Sequence, residues 1–453
     1  GKSKVLKIKS YPNNSDVIVE YVFENPYPSV SGGAEISDER NVSMVIQHSL
    51  IELPKNNYKP RYDDPRVGYF VTHINDMTST SVTPYRDQIH RWHLEKKYKD
   101  SVISEPVQPI TWWIENTTPK ELRQTIKEAA LAWNLAFEKA GFKNALVINE
   151  QPDTAKWDAG DINYNVIRWT SSPRPPFGGY GPSFVNPKTG QIIGADIMLE
   201  YIFLTRHLNI EQLYNIKNLH GEIKDHHCAA SQYLQHANLF GQMALQTLKD
   251  SVVVDDFIKQ AVYYLVLHEL GHTLGLNHNM KASQLYSPAQ LQDKRITSVT
   301  GIIGSVMDYP SVNISPDKTR QGDFFITKPG PYDMWAIEFG YREFADSLQE
   351  EAGLKKILSR STEKALAFGN DADDMRTPGL HVDPRVMIFD LSNDAITYMA
   401  DRLKLTETIS KNLIKNFSKK GQSYQELKNA YTMLTTEQTN CASVISRYVG
   451  GVY

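Results

Sequence analysis

An α+β fold is expected, because successive stretches of the sequence carry different patterns. Residues 5–90 are rich in β-branched and aromatic side chains in alternation, residues 105–280 run strand, helix, strands, helix, and residues 332–453 read as mainly helical. A chain of 453 residues exceeds what one ordinary core holds. Three units are therefore expected: a β-rich support domain over 1–100, a mixed domain over 101–345, and a mainly helical region over 346–453 that continues beyond Tyr453.

Taken in order, Lys4 to Ser10, Asp16 to Phe23 and Asn41 to Leu53 read as strands, separated by turn formers such as Pro12-Asn13-Asn14 and Ser31-Gly32-Gly33. Ile110 to Glu115 is a further short strand. Thr118-Pro119-Lys120-Glu121 has the form of a capping box, and Leu122, Ile126, Ala129, Trp133 and Phe137 follow at helical spacing until Gly141. Ala145 to Asn149, Asn163 to Thr170 and Gly194 to Glu200 are the next strands, with a Pro/Gly-rich loop, Ser172 to Pro182, between the last two. Residues 201–250 look helical, and Asp255 or Asp256 is placed to cap a long helix carrying Phe257, Ala261, Val262, Leu265 and Val266. The closing run Arg447 to Tyr453 reads as a strand cut short.

Composition narrows the function classes. A net charge of -3, with basic residues interspersed among acidic ones, gives no electrostatic ground for a nucleic-acid partner. The longest apolar stretches, such as Ala261 to Leu267, fall far short of the ~20 residues that span a bilayer. Gly1-Lys2-Ser3-Lys4 lacks the apolar core of a signal peptide and reads as the start of a mature or trimmed fragment. With two cysteines, Cys228 and Cys441, the chain holds one bridge or none, and its oligomeric state is not legible.

The most informative stretch is His268-Glu269-Leu270-Gly271-His272-Thr273-Leu274-Gly275-Leu276-Asn277-His278. His268 and His272 stand one helical turn apart, so both imidazoles project from one face. Glu269 follows the first of them, off the metal yet close to where a water would be activated. Gly275 lets the chain leave the helix and turn His278 back as a third ligand. Three imidazoles leave a position open, which is the arrangement of a catalytic rather than a structural zinc. A bare HExxH recurs by chance on amphipathic helices; two more fixed positions make that reading far less economical. One catalytic Zn2+ is expected, with Glu269 as general base.

About thirty residues on comes Gly304-Ser305-Val306-Met307-Asp308-Tyr309-Pro310. Together the two motifs resemble the metzincin clan of zinc metalloproteases, whose zinc helix is followed by a tight turn carrying Met. The resemblance implies that Met307 is an apolar floor beneath the histidines. It also implies that Tyr309, two residues on, reaches the zinc or the substrate oxyanion as in astacins and serralysins. Gly194-Ala195-Asp196-Ile197-Met198 is similar to the clan's edge strand, which aligns a substrate by main-chain hydrogen bonds. Pro331-Tyr332-Asp333 resembles the start of the active-site helix after the Met-turn. The residue after His278 is Asn279, neither the Glu of astacins nor the Asp of adamalysins, so neither subfamily's specificity carries over.

Taken whole, the chain resembles bacterial secreted zinc metalloproteases with a β-rich domain ahead of a metzincin-like catalytic domain. This implies an endopeptidase acting on protein or peptide substrates, in a secreted, periplasmic or cell-surface setting. The alternative is a latent zymogen, or a binding or adhesion protein, with a covered or structural zinc. Weaker signals are Asp371-Ala372-Asp373-Asp374 and the pair Asp158 and Asp161, considered for Ca2+ but without EF-hand spacing, and His226-His227-Cys228, read as a solvated loop.

Overall fold

A computed structural model describes residues 2–27, 38–171, 179–200, 230–248, 254–371, 373 and 383–451. The chain opens with a three-stranded antiparallel sheet of β1 (Lys4–Ser10), β2 (Asn14–Glu24) and β3 (Asn41–Ile51). This sheet touches the rest of the molecule at its turn end. There the Tyr11 hydroxyl donates to Asp158 at 2.7 Å, and the Asn14 amide donates to the Gly160 carbonyl at 2.8 Å. Asp158 also pairs with Lys9 and so ties the sheet to the rest of the molecule, whereas Asp161 accepts from Asn163 within its own turn.

Residues 58–94 then pack on the end of the helix that finishes at Thr273 and on the turn after it, and Val67, Tyr69, Ile89, Trp92 and Leu94 are buried there. Beyond it lies the central sheet. β4 (Ile110–Ile114), β5 (Leu146–Glu150), β6 (Asn165–Thr170) and β9 (Gln191–Glu200) are mutually parallel, in the order β5-β4-β6-β9. β7 (Gly179–Tyr180) and β8 (Ser183–Val185) then lie antiparallel against β9. Parallel strands need crossover helices, and α1 (Lys120–Ala132) with α2 (Asn134–Ala140) supplies one. The expected capping box at Thr118 does not form. Thr118 is buried and makes no cap bond, while Arg123 reaches back to the carbonyls of Asn116 and Thr118 and holds the helix start instead.

The long helix α4 (Val254–Thr273) follows α3 (Ala230–Thr247). Asp255 and Asp256 lie within its first turn rather than at its cap, still favourable against the helix dipole. From Tyr264 to Thr273 every side chain is buried, and the Trp133 indole donates to the Leu267 carbonyl, fastening α1 to it. After the Met-turn come α5 (Pro331–Tyr341), α6 (Ser347–Leu358), α7 (Ala395–Phe417) and α8 (Gln425–Arg447). Arg447 ends a helix and Tyr448 to Gly450 form a turn, so residues 447–451 are not the strand expected, while residues 452 and 453 lie outside the described residues.

α3, α7 and α8 are joined by a buried ion network. Arg402 donates to Glu437, which also bonds His236 at 2.8 Å, and the Arg402 guanidinium lies over the Phe240 ring. Glu437 is held low, to about 2, because Arg402 and His236 outweigh its burial. The expected α+β class thus stands: a β-rich start, a parallel sheet with helices, and a helical C-terminal part. Among the described residues no helix is long and apolar enough to cross a membrane. His226-His227-Cys228 lies outside the described residues.

Candidate metal centre

The three histidines meet at the C-terminal end of α4. His268 and His272 sit one turn apart on it, and Gly275 at φ +98° reverses the chain so that His278 returns to them. Only glycine fits there: besides the positive φ, a side chain would collide with the His90 carbonyl. One nitrogen from each ring lies within 4.8 Å of the others, the only such group among the described residues. All three rings are buried, His278 being the most exposed at 8%.

What surrounds the rings sets their chemistry. His268 Nδ1 bonds the Val306 carbonyl at 2.8 Å, His272 Nδ1 bonds the Leu276 carbonyl at 2.9 Å, and His278 Nδ1 bonds Asp371 Oδ2 at 2.8 Å. Each acceptor lacks a hydrogen, so Nδ1 carries a proton and Nε2 is the atom that can present a lone pair to a metal. Burial, reinforced by neighbouring rings, holds His268 far below its ordinary pKa and lowers His272 to about 3. Three imidazoles held by their Nδ1 atoms, each with Nε2 left to face the others, form the donor set that zinc takes. The residues fit that metal.

The Met-turn lies directly beneath. Met307 is fully buried, and a side chain at Gly271, between the two helical histidines, would collide with its sulfur. The Tyr309 hydroxyl is 2.6 Å from His278 Nε2, and its ring stacks with Tyr233. Glu269 is wholly buried, next in sequence to His268. The structure therefore brings His268, His272, His278, Met307 and Tyr309 together, with Glu269 on the same helix.

It does not bring the 194–198 segment to the rim as an edge. Asp196–Glu200 pairs with Val166–Thr170 on one side, and Ser183–Tyr180 residues lie antiparallel on the other, so β9 is an interior strand. Asp196 turns inward, where burial raises its carboxyl to about 6 and it accepts from the Val166 amide. Gly194 packs against Ile162, Ala195 donates its amide to Asn165, and Ile197 is fully buried. Met198 pairs with Tyr180. The outer position belongs to β7 and β8. A Cβ at Gly179 would lie 2.7 Å from Glu269 Oε1, and one at Gly181 equally close to the Glu269 carbonyl, so this strand runs in contact with the zinc helix. The signal available in the sequence was the Gly-Tyr-Gly spacing, which permits such an approach.

Two carboxylates were not singled out for these roles from sequence. Asp371, considered for calcium, instead faces His278. Asp333, near the start of α5, accepts from the Ser305 hydroxyl and from the amides of Val306 and Gly330 at 2.7–2.8 Å. Burial pushes its carboxyl up to about 7, against those three bonds. Asp333→Ala would strand two buried amides at about 1–3 kcal/mol each. A loss of roughly 2–6 kcal/mol in denaturant unfolding is expected from them, with Asp333→Asn losing less; an unchanged midpoint for Asp333→Ala would show that the Met-turn holds without it.

Comparison with known proteins agrees with this geometry. Residues 250–453 match the Met-zincin family, and residues 1–97 match a domain of unknown function (DUF5117). No curated protein and no solved structure matches the chain. The histidine cluster and the buried methionine turn both lie inside residues 250–453, the segment that matches the Met-zincin family.

Proposed function

We propose that the chain is a zinc-dependent endopeptidase that hydrolyses peptide bonds of proteins or peptides. The observation that carries this reading is the set of three imidazoles whose Nδ1 atoms are all engaged, with Glu269 one residue beyond the first. When bound, zinc supplies Lewis acidity, acidifying a water and polarising a carbonyl. Glu269 accepts the proton from the attacking water and passes it to the leaving amine. The Tyr309 hydroxyl, already at the cluster, donates a hydrogen bond to the oxyanion that forms on the substrate. Met307 closes the site from below and keeps the rings in place.

Substrate is aligned, in this reading, along β7 and β8 rather than along 194–198. Their inner side is taken up by β9, and a peptide added to the outer side would run past Glu269. On the family resemblance the enzyme works in a secreted, periplasmic or cell-surface setting. The test is metal analysis together with hydrolysis of a denatured protein. One zinc per chain and activity abolished by a chelator and restored by zinc are expected. His272→Ala should lose metal and activity together. Full zinc in that variant, or hydrolysis indifferent to chelation, would overturn the assignment.

A further inference from the structure

We propose that Asp371 is a positioning residue for the third metal ligand, delivered to it by a clamp built on Asn279. The inference rests on the zinc reading above. His268 and His272 give their Nδ1 protons to backbone carbonyls, whereas His278 faces a carboxylate at 2.8 Å. A carboxylate on Nδ1 fixes the ring's orientation and tautomer and makes Nε2 a stronger donor to a metal.

How Asp371 arrives there explains the residue after the third histidine. Asn279 is fully buried, and its amide donates to the Ala367 carbonyl at 2.9 Å while accepting from the Gly369 amide at 3.2 Å. Met280 N–H adds a bond to the Gly369 carbonyl at 2.6 Å. The segment 367–369 is thereby laid along 279–280, and two residues later it presents Asp371 to His278. Holding both partners takes a donor and an acceptor on one side chain. An amide has both; the carboxylate of Asp or Glu, ionised, has no donor for the Ala367 carbonyl. The Asn279 that sets this chain apart from its better-known cousins thus belongs to a ligand-orienting arm drawn from ninety residues downstream.

A merely structural ion pair is the competing account. The Asp371 side chain is 44% exposed, and surface ion pairs contribute little to folding. The two accounts separate by measurement on the full chain. Zinc affinity from chelator competition should fall about 10–100-fold in Asp371→Ala, with Asp371→Asn, which keeps an acceptor but no charge, in between. The thermal midpoint of the metal-free protein should stay within about 2 °C of the parent. Unchanged affinity overturns the proposal, and so does a metal-free midpoint that drops in step with affinity. Asn279→Ala should weaken zinc binding in the parent but add little in the Asp371→Ala background; additive losses would overturn the delivery by Asn279. A parent protein that binds no zinc would instead refute the reading on which this one rests.

Discussion

Glu269→Gln should leave one zinc per chain and the fold intact while lowering turnover by a factor on the order of a hundred or more. Glutamine matches glutamate in volume, which matters because the side chain is wholly buried and pressed by β7 at Gly179. No cavity opens, and the histidines keep their partners at Val306, Leu276 and Asp371. What disappears is the ability to accept a proton. The loss should therefore appear in kcat with little change in KM, measured on a denatured protein with zinc content determined on the same sample. Near-normal turnover in a zinc-loaded Glu269→Gln protein would remove Glu269 from the role of base.

The second large effect concerns the upstream region. A chain beginning at Ser101 is expected to be insoluble or devoid of activity, because residues 61–94 are built into the zinc helix's surroundings. Phe70 N–H bonds the Gly275 carbonyl at 2.8 Å, Asn277 N–H bonds the Gly68 carbonyl at 3.0 Å, and the Trp92 indole donates to the Thr273 carbonyl. These contacts brace the turn that carries His278, and the Phe70 ring lies 5.4 Å from that of His272. Arg61 adds a buried guanidinium bonded to the carbonyls of Phe339 and Arg342 and to Glu350. Emptying even one large core position costs about 2–5 kcal/mol, and Val67, Tyr69, Ile89, Trp92 and Leu94 would all go at once. Together that is on the order of 10–25 kcal/mol, as large as or larger than the net stability of roughly 5–15 kcal/mol typical of a folded protein. The contrary result would be a soluble truncated protein more active than the parent, which would make the upstream region an inhibitory pro-segment.

Local chemistry was legible in the sequence where spacing alone dictates it. His268 and His272 must share a helical face and Gly275 must supply the reversal, so the grouping of the three histidines was legible from spacing, while Met307 was implied only by the resemblance. Strand existence was legible too, since the runs at 110–115, 145–149 and 163–170 are short and apolar. Strand order was not. Nothing in Gly194–Met198 says whether its free side meets solvent or another strand, and Ser183–Val185 is too short to announce itself by alternation. The capping box failed for a related reason: Thr118 has the right spacing, but its hydroxyl is drawn into the interior. Asp371 and Asp333 were out of reach because their partners lie 93 and 28 positions away, a pairing that only the folded chain creates.

The distribution of the Nδ1 acceptors has a consequence for how the protein matures. Leu276 lies within the zinc motif itself, Val306 arrives with the Met-turn, and Asp371 comes only after α5 and α6 have been made. On a chain growing from its N-terminus, the imidazoles therefore acquire their fixed tautomers in sequence, His272 first and His278 last. The third ring gains its Nδ1 partner only once residue 371 has been made, so a chain that stops short of it carries the three histidines without the carboxylate that faces His278.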